Sequence, residues 1–362
     1  MENLKNKYFM ELALKQADRV LGKTKTNPAV GCVIVKNDYV ISANSTSING
    51  RPHAEHNALK NIKKKEKNLT LYSTLEPCSH YGKTSPCVNK IIDKKIKKVF
   101  FSIKDPDIRS FNKCEKILKK RKISVTNNIL SKKINEFYKS YVKFKKKELP
   151  FVSCKLAISK DFYLNDTKNK NITNNYSRSR GHILRSNHDC ILSSSSTVVD
   201  DNPKFTCRIP GLEKFTPARV ILDSSLKIPL NHNLILLAKK YRTIIFYNKA
   251  KKEKIKMLKK KNIKLIKTSL NSDGLFDLKS ILKEVKHLGY TRVLLESGLK
   301  LSCSFLKLKL IDNLYLFISN KKIKTHAKNS IKKIFKLYIK NKKQKEIKIN
   351  LLGEKLIKYE IN

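Results

Sequence analysis

Acidic residues are scarce in this 362-residue chain, and long apolar runs are missing from it. Asp and Glu total 29 against 80 Lys and Arg, so the formal net charge is +51. No segment reaches the ~18 consecutive apolar residues that a membrane helix requires, which excludes a membrane-spanning protein. The first residues interleave charges with apolar side chains and lack the apolar centre of a signal peptide. The sequence therefore predicts a cytoplasmic protein with no membrane partner.

Cysteine is also sparse, and the glycine-rich fingerprint of a Rossmann cofactor site is absent. Eight cysteines are scattered through the chain, unlike the dense disulfide framework of a small secreted domain. Most of them are therefore predicted to be reduced, buried side chains. No G-x-G-x-x-G motif occurs, so a Rossmann dinucleotide site is not supported.

The excess of positive charge alone favours a nucleic-acid or membrane-surface partner. The lysines, however, are spread along both halves, often beside Asn and Ile. Such a spread is typical of compositional drift in an AT-rich coding sequence and does not outline a polyanion groove. We therefore predict a small-molecule partner and no nucleic acid. A homo-oligomer is left open.

The length predicts about two domains, at roughly 150 residues each. In both halves, β-branched runs of strand length alternate with amphipathic helical stretches, which is typical of α/β domains. The charged stretch Lys143–Pro150 is interpreted as a linker between domains at 1–145 and 150–362. Near the end, the β-prone runs Leu337–Ile339 and Ile347–Leu351 predict late strands.

The most informative pattern is Pro52-His53-Ala54-Glu55, followed by Glu76-Pro77-Cys78 and by Cys87. The imidazole of His53 and the thiolates of Cys78 and Cys87 make a three-ligand zinc set that leaves one tetrahedral position open to water. The layout matches the zinc-deaminase signature, H-x-E followed by P-C-x-x-C, except that eight residues separate the cysteines. The alternative is a coincidence of structural residues. The order of all four residues beside predicted helix starts argues against it.

The chemistry follows from this residue set. Glu55 lies two residues after His53 at a predicted helix start, so its carboxylate can reach a metal-bound water without ligating the metal. Zinc lowers the pKa of that water toward ~7, Glu55 accepts the proton, and the hydroxide attacks an amine-bearing ring carbon. Glu55 then passes the proton to the departing ammonia. The prediction is hydrolytic deamination with Glu55 as the catalytic residue and one zinc ion.

Three segments carry a resemblance, namely Asn27–Val35, Gly50–Glu55 and Thr74–Cys87. They resemble the N-terminal half of the bifunctional deaminase–reductase family of bacterial riboflavin biosynthesis, which has the same long gap between its cysteines. The resemblance implies a three-layer cytidine-deaminase-like fold and a phosphoribosylamino-diaminopyrimidinone as substrate. It also implies that Asn27 contacts the pyrimidine, although an Asn before Pro is also an ordinary turn residue.

The second half resembles the family's reductase domain, which implies a dihydrofolate-reductase-like α/β fold and NADPH. The segments are Lys155–Asp161, Thr197–Arg208 and Leu295–Gly298. The cofactor-binding residues implied are Ala157, Thr197, Asp201, Ser224 and Gly298. The substrate-binding residues implied are Lys155, Asn169, Arg185, Phe205, Arg208 and Glu296. Guanidinium groups suit the substrate phosphate because they hold it in a bidentate fork.

Several positions depart from the family pattern. Phe162 stands where the family has glycine, tryptophan is absent, and Ile318–Lys321 replaces a turn that contains proline. The leading interpretation is a two-step enzyme that deaminates the pyrimidine and then reduces the ribosyl side chain to ribityl. One alternative is a deaminase whose second domain is a degenerate structural support. Another, from a different class, is a nucleic-acid base deaminase with a basic RNA-binding extension.

Overall fold

The chain divides into two compact units, Met1–Glu148 and Leu149–Asn362. The computed structural model describes residues 2–63, 66–146, 148–167, 171–323 and 327–362. The last helix of the N-terminal unit continues to Lys145, because its turns bury Tyr138 and Tyr141. The first residues of the predicted linker are therefore helical. Every helix in the described ranges is too short or too polar to cross a bilayer.

The N-terminal unit is built on one mixed sheet. Its strands are β1 (Gly31–Lys36), β2 (Tyr39–Ser45), β3 (Leu69–Leu75), β4 (Lys98–Ile103) and β5 (Ser124–Thr126). Its helices are α1 (Glu2–Asp18), α2 (Ala54–Leu59), α3 (Cys87–Asp93), α4 (Cys114–Lys120) and α5 (Ser131–Lys145). The sheet order is β2-β1-β3-β4-β5, with β1 antiparallel to both neighbours and the last three strands parallel.

Helix α1 lies directly on strand β1. A Cβ atom at Gly31 would stand 1.8 Å from the carbonyl oxygen of Ala13, so this approach requires glycine. Met10, Ala13 and Ala17 are buried on the face of α1 that makes the contact. The close packing fixes the sheet from which β3 leads into Glu76 and Cys78.

The C-terminal unit contains a larger sheet. Its strands are β6 (Phe151–Ile158), β7 (Tyr163–Asp166), β8 (Cys190–Ser194), β9 (Ala218–Leu222), β10 (Thr243–Tyr247), β11 (Ile263–Lys267), β12 (Arg292–Leu295), β13 (Asn313–Ile318), β14 (Ala327–Ser330), β15 (Gln344–Glu346) and β16 (Lys355–Glu360). Its helices are α6 (Asn175–Ser186), α7 (Ser195–Asp201), α8 (Asn233–Leu236), α9 (Lys252–Lys260), α10 (Leu278–His287), α11 (Leu299–Lys307) and α12 (Lys332–Ile334).

The order of this sheet places the site residues at one edge. It runs β11-β10-β9-β8-β12-β6-β13-β16-β15, and β7 pairs separately with β14. The first seven strands in this order are parallel. The carboxyl ends of parallel strands meet at the same edge, where open α/β sheets bind their ligands.

Late strands do form near the end of the chain, as β15 and β16, but neither lies in the β-prone runs from which they were predicted. Phe335–Ile339 forms a π-helical turn, and the segment around Ile347–Leu351 connects β15 to β16. Leu337 is 63% exposed whereas Ile339 is buried. In a strand these two side chains would share a face, so the one-sided burial of this short run suits a helical turn. Packing has overridden β-propensity here.

Phe162, which replaces the family's glycine, has a left-handed backbone with φ of 69°. This conformation costs a non-glycine residue about 1–2 kcal/mol. Its ring packs edge-on against Phe335 at 5.1 Å between centroids, and its carbonyl accepts a hydrogen bond from the Ile331 backbone at 2.9 Å. The aromatic contact therefore offsets the strain, and the loop closes without glycine.

Candidate active sites of the two units

The segments that precede two helices bring the predicted metal ligands together. His53 is the N-cap residue of α2, and Glu55 lies in the first turn of that helix. Cys87 is the first residue of α3, and its backbone N–H donates to the Sγ of Cys78 at 3.3 Å. The segment that follows β3 therefore brings Cys78 and Cys87 beside His53.

The three ligand atoms have the spacing of a tetrahedral zinc site. The Nδ1 of His53 lies 3.5 Å from the Sγ of Cys78 and 3.5 Å from the Sγ of Cys87. All three atoms lie within 4.8 Å of one another. Zinc bonds of about 2.0 Å to nitrogen and 2.3 Å to sulfur separate the two ligand atoms by about 3.5 Å at a tetrahedral centre. The residues therefore fit zinc, with one position left for water.

The electrostatics also suit a cation. A hydrogen bond from the Cys87 side chain and another from the His53 imidazole hold the pKa of the Cys78 thiol well below its usual value. The thiolate is the form of cysteine that binds metals. The thiolate form of Cys78 is therefore favoured even before a metal binds.

Glu55 lies against this cluster but is not one of the three predicted metal ligands. Its side chain is buried, and Oε2 lies 3.4 Å from the Sγ of Cys87. The hydroxyl of Ser73 lies 3.3 Å from Oε1. Burial raises the pKa of the Glu55 carboxyl above its ordinary value. A buried carboxyl beside an open metal position is placed to exchange protons with a bound water.

Glu76 and Asn27 stabilise the segments around the cluster. The Glu76 carboxylate accepts backbone hydrogen bonds from Asp105, Asn112 and Cys114, each at 3.1 Å. The amide of Asn27 donates to the Gly50 carbonyl at 2.9 Å, three residues before His53. Gly50 has φ of 94°, and a Cβ there would lie 2.5 Å from the Nδ2 of Asn27. Asn27 is thus fixed to the segment that enters the metal site.

The C-terminal unit contains a buried ion pair between two predicted substrate residues. The Nε and Nη2 atoms of Arg185 each donate to a different oxygen of Glu296 at 2.7 Å. Their side chains are 16% and 11% exposed. The bidentate fork of Arg185 is therefore occupied by Glu296, which leaves its Nη1 to donate to the Thr206 carbonyl at 3.0 Å.

Lys155 belongs to the same group. Strands β12 and β6 pair Leu294 with Ser153, so continuation of the register sets Glu296 beside Lys155 on one face of the sheet. Burial lowers the pKa of Lys155, and the Glu296 carboxylate partly opposes that effect. Ala157 follows two residues later on the same face and is half-buried. This face therefore carries both a predicted sugar contact and a predicted cofactor contact.

The segment after α7 completes the substrate group. Phe205 is buried, and its ring lies 6.0 Å from the Arg185 guanidinium. Arg208 is exposed, and burial of part of its side chain together with the Arg185 charge lowers its pKa. Within the described part of the chain, the Arg208 guanidinium has no carboxylate partner. It is therefore the better placed of the two arginines to take a ligand anion.

Four of the predicted cofactor residues lie at or just after the carboxyl ends of strands, namely Ala157, Thr197, Ser224 and Gly298. The N–H of Gly298 donates to the Oγ1 of Thr197 at 3.0 Å, which joins the starts of α7 and α11. Gly298 is the N-cap of α11 and adds no side-chain cap, so first-turn N–H groups are open to a phosphate. Ser224 follows β9, and Asp201 ends α7 on the surface. Asn169 lies outside the described residues, so its role stays a prediction.

Two residues of these sites are not predicted from the sequence. Ser73 contacts Glu55 from β3, eighteen positions away in sequence. His182 lies one helical turn before Arg185, and its Nδ1 is 2.9 Å from the Thr206 carbonyl. The helical spacing of His182 and Arg185 was the available signal, because residues three apart share a helix face.

Comparison with known proteins supports both halves. Residues 4–103 match the family described as cytidine and deoxycytidylate deaminase zinc-binding region, and residues 150–323 match the RibD C-terminal domain. The riboflavin biosynthesis protein RibD of Aquifex aeolicus is 35% identical over 318 residues, which cover 87% of each chain. The chain belongs to the RibD family of riboflavin biosynthesis.

Solved structures extend the similarity to the whole fold. A diaminohydroxyphosphoribosylaminopyrimidine deaminase/5-amino-6-(5-phosphoribosylamino)uracil reductase from Thermotoga maritima has a TM-score of 0.84, 26% identity and full coverage of both chains. RibD of Acinetobacter baumannii has a TM-score of 0.84, 26% identity and 99% coverage of both chains. The predicted fold class is confirmed. Like other members of this family, the chain is a bifunctional hydrolase and oxidoreductase with a zinc-binding half and a reductase half.

Proposed function

We propose that the N-terminal unit removes an amino group from the phosphoribosylamino-diaminopyrimidinone and that the C-terminal unit then reduces the ribosyl side chain with NADPH. The convergence of His53, Cys78 and Cys87 beside Glu55 carries the first part of this proposal. The RibD family membership supports both steps. The residue assignments below are our own proposal.

In the deaminase, His53, Cys78 and Cys87 would hold the zinc ion. When bound, zinc supplies a Lewis acid that activates water at neutral pH. Glu55 takes a proton from the attacking water at its carboxylate and returns it to the departing amino group, so that a ring carbonyl and ammonia are formed. Burial excludes bulk water from Glu55, and Asn27 orients the pyrimidine from the loop fixed to Gly50.

In the reductase, the cofactor would lie along Ala157, Thr197, Asp201, Ser224 and Gly298. The nicotinamide supplies the hydride that converts ribosyl to ribityl. Arg208 binds the substrate phosphate, and Lys155 contacts the sugar. Glu296 keeps Arg185 fixed by accepting two hydrogen bonds of 2.7 Å, and the Phe205 ring lies 6.0 Å from that guanidinium.

Neither a deaminase with a degenerate second domain nor a nucleic-acid base deaminase is favoured. A degenerate reductase would have no reason to keep a bidentate buried pair at the substrate position, and the reductase half matches the RibD C-terminal domain. The same match assigns the second half to a reductase and not to an RNA-binding extension. A small pyrimidine substrate is therefore preferred over nucleic acid.

The deciding experiment supplies the phosphoribosylamino-diaminopyrimidinone to the whole chain and follows ammonia and NADPH separately. Both signals are expected, with NADPH consumption dependent on prior ammonia release. Supplying the deaminated substrate directly should restore NADPH consumption without ammonia. Ammonia release without any NADPH or NADH consumption would support a deaminase alone.

Replacing Cys87 by serine should remove the metal. Loss of one of three protein ligands is expected to weaken zinc binding by more than about 100-fold, because even changes to residues that only support ligands cost 10–100-fold. Elemental analysis of the purified protein measures this. Cys114→Ser is the matched control, since Cys114 is a buried cysteine outside the ligand cluster. Zinc retained at wild-type level in Cys87→Ser would contradict the ligand assignment.

Replacing Arg208 by alanine should weaken substrate binding in the reductase. We expect KM for the deaminated substrate to rise by about 10- to 100-fold, because a charge-assisted bond to phosphate contributes about 1.5–3 kcal/mol. The deaminase activity should stay unchanged. Lys264→Ala, on the edge strand β11, removes one exposed positive charge as a control. Equal losses in both activities would mean that Arg208 does not belong to the reductase site.

A further inference from the structure

A carbonyl group links the two parts of the reductase substrate site. The Thr206 carbonyl accepts a hydrogen bond from Arg185 at 3.0 Å and lies 2.9 Å from the Nδ1 of His182. A carbonyl oxygen has two lone pairs and only accepts, so both partners donate to it. The Nδ1 of His182 must therefore carry a proton. One backbone oxygen is held by two side chains of α6.

His182 is built into the unit and is not a surface histidine. It is 9% exposed, and it lies one helical turn from Arg185, whose Nη1 is 3.3 Å from its Nδ1. Burial and the charges of Arg185 and Arg208 lower its pKa to about 4. The ring is therefore neutral near pH 7 and adds no further positive charge to the site.

The carbonyl belongs to a segment that needs an anchor. Phe205, directly before Thr206, has a left-handed backbone with φ of 49°, a conformation that is costly for an aromatic residue. Arg208, two residues after Thr206, is exposed. The position of the Arg208 guanidinium relative to Arg185 therefore depends on where the Thr206 carbonyl is held. Arg185 does not serve only to hold the Thr206 carbonyl, because its Nε and Nη2 atoms already donate hydrogen bonds to Glu296.

We propose that His182 is a positioning residue of the reductase, which fixes the Phe205–Arg208 segment against α6 so that the substrate phosphate meets a preset Arg208. This inference rests on the proposed reductase function. His182 acts through Thr206 and Arg208 and takes no part in hydride transfer. Its loss should raise KM for the substrate and leave the chemical step and cofactor binding nearly unchanged.

Two substitutions of different chemistry test this proposal. His182→Leu keeps an apolar side chain of useful volume and removes the donor, whereas His182→Asn places an amide N–H at the position of Nδ1. For His182→Leu we expect KM for the deaminated substrate to rise about tenfold, with kcat and KM for NADPH within about threefold of wild type. His182→Asn should recover most of the lost affinity.

Controls separate this inference from folding and from the proposed function. The deaminase activity of the same full-length chain and the thermal unfolding midpoint report whether the variant is folded. A variant with unchanged substrate KM, or one in which kcat and KM for NADPH change as much as substrate KM, would overturn the positioning role. Failure of Asn to restore affinity while Leu loses it would also overturn it. Failure of the wild-type chain to oxidise NADPH would instead refute the reductase function itself.

Discussion

Glu55→Gln should abolish ammonia release while the protein keeps its fold and its zinc. The amide has the shape of the carboxyl but cannot take up a proton from water, and general acid–base catalysis contributes about 10²- to 10⁴-fold. We therefore expect kcat of the deaminase to fall by about 10³-fold or more, since the same residue both takes and returns the proton. Zinc should remain, because the three ligand atoms come from His53, Cys78 and Cys87. Ammonia release and zinc content are measured on the same sample.

The reductase in the same chain supplies the internal control. With deaminated substrate, Glu55→Gln should consume NADPH at the wild-type rate. Glu11→Gln removes a carboxylate from α1 that pairs with Lys133 on the surface, and it should leave ammonia release intact. Near-normal deamination by Glu55→Gln would refute the role of Glu55 in moving the proton. Loss of zinc in this variant would show that the carboxylate supports the metal.

Glu296→Gln should lower both the stability of the C-terminal unit and its reductase activity. The change leaves the buried Arg185 guanidinium without its charge partner, and breaking a buried ion pair costs about 3–5 kcal/mol. Reductase kcat/KM should also fall by about 100-fold or more, which corresponds to about 2.7 kcal/mol, because Arg185 loses the carboxylate that fixes it and Lys155 loses a nearby negative charge. Denaturant unfolding and NADPH consumption measure the two effects. Glu360→Gln breaks a more exposed pair with Lys343 and should cost at most about 1 kcal/mol.

The same pair gives a pH dependence of defined sign. Burial raises the pKa of Glu296, but the Arg185 charge and hydrogen bonds outweigh it and lower the pKa below that of an ordinary glutamate. A carboxyl with a lowered folded-state pKa stabilises the protein above the unfolded pKa of ~4.3. That stabilisation is lost as the pH falls through the folded-state value. Wild type should therefore lose more stability than Glu296→Gln below about pH 4.3; equal losses would contradict the pair's contribution.

The sequence was most informative where the chemistry is local. His53 and Glu55 lie in one helix entry, and Cys78 and Cys87 bracket one loop, so both halves of the zinc-deaminase signature are readable as short local patterns. The contact between the two halves spans 25 residues or more, and it was the known signature that predicted it. The pairing of Arg185 with Glu296 spans 111 residues, and no local pattern encodes such a contact. The resemblance predicts both residues as substrate contacts, whereas in the structure each is the hydrogen-bonding partner of the other. It also predicts Phe205 and Arg208 as substrate contacts, but it does not reveal the Thr206 carbonyl between them that contacts Arg185 and His182.

Side-chain packing explains what was predicted wrongly. The run around Leu337 and Ile339 has strong β-propensity, yet one side chain is exposed and the other buried. Short apolar runs do not distinguish a strand from a buried helical turn. The boundary between the two units lies within the predicted linker Lys143–Pro150, although the first residues of that stretch continue α5, whose Tyr138 and Tyr141 are buried in the core.

The contact between Phe162 and Phe335 has a consequence for how departures from a family pattern are weighed. Phe335 lies beyond residue 323, where the match to the family's reductase model ends, and its ring also packs near Tyr359 at 6.0 Å. A position-by-position comparison counts Phe162 as a lost glycine and ignores its partner. In the folded protein the two rings pack against each other. Replacing Phe162 by glycine would therefore relax the backbone but leave a cavity beside Phe335. The contact that accommodates Phe162 is thus made by a residue outside the region that matches the family's reductase model.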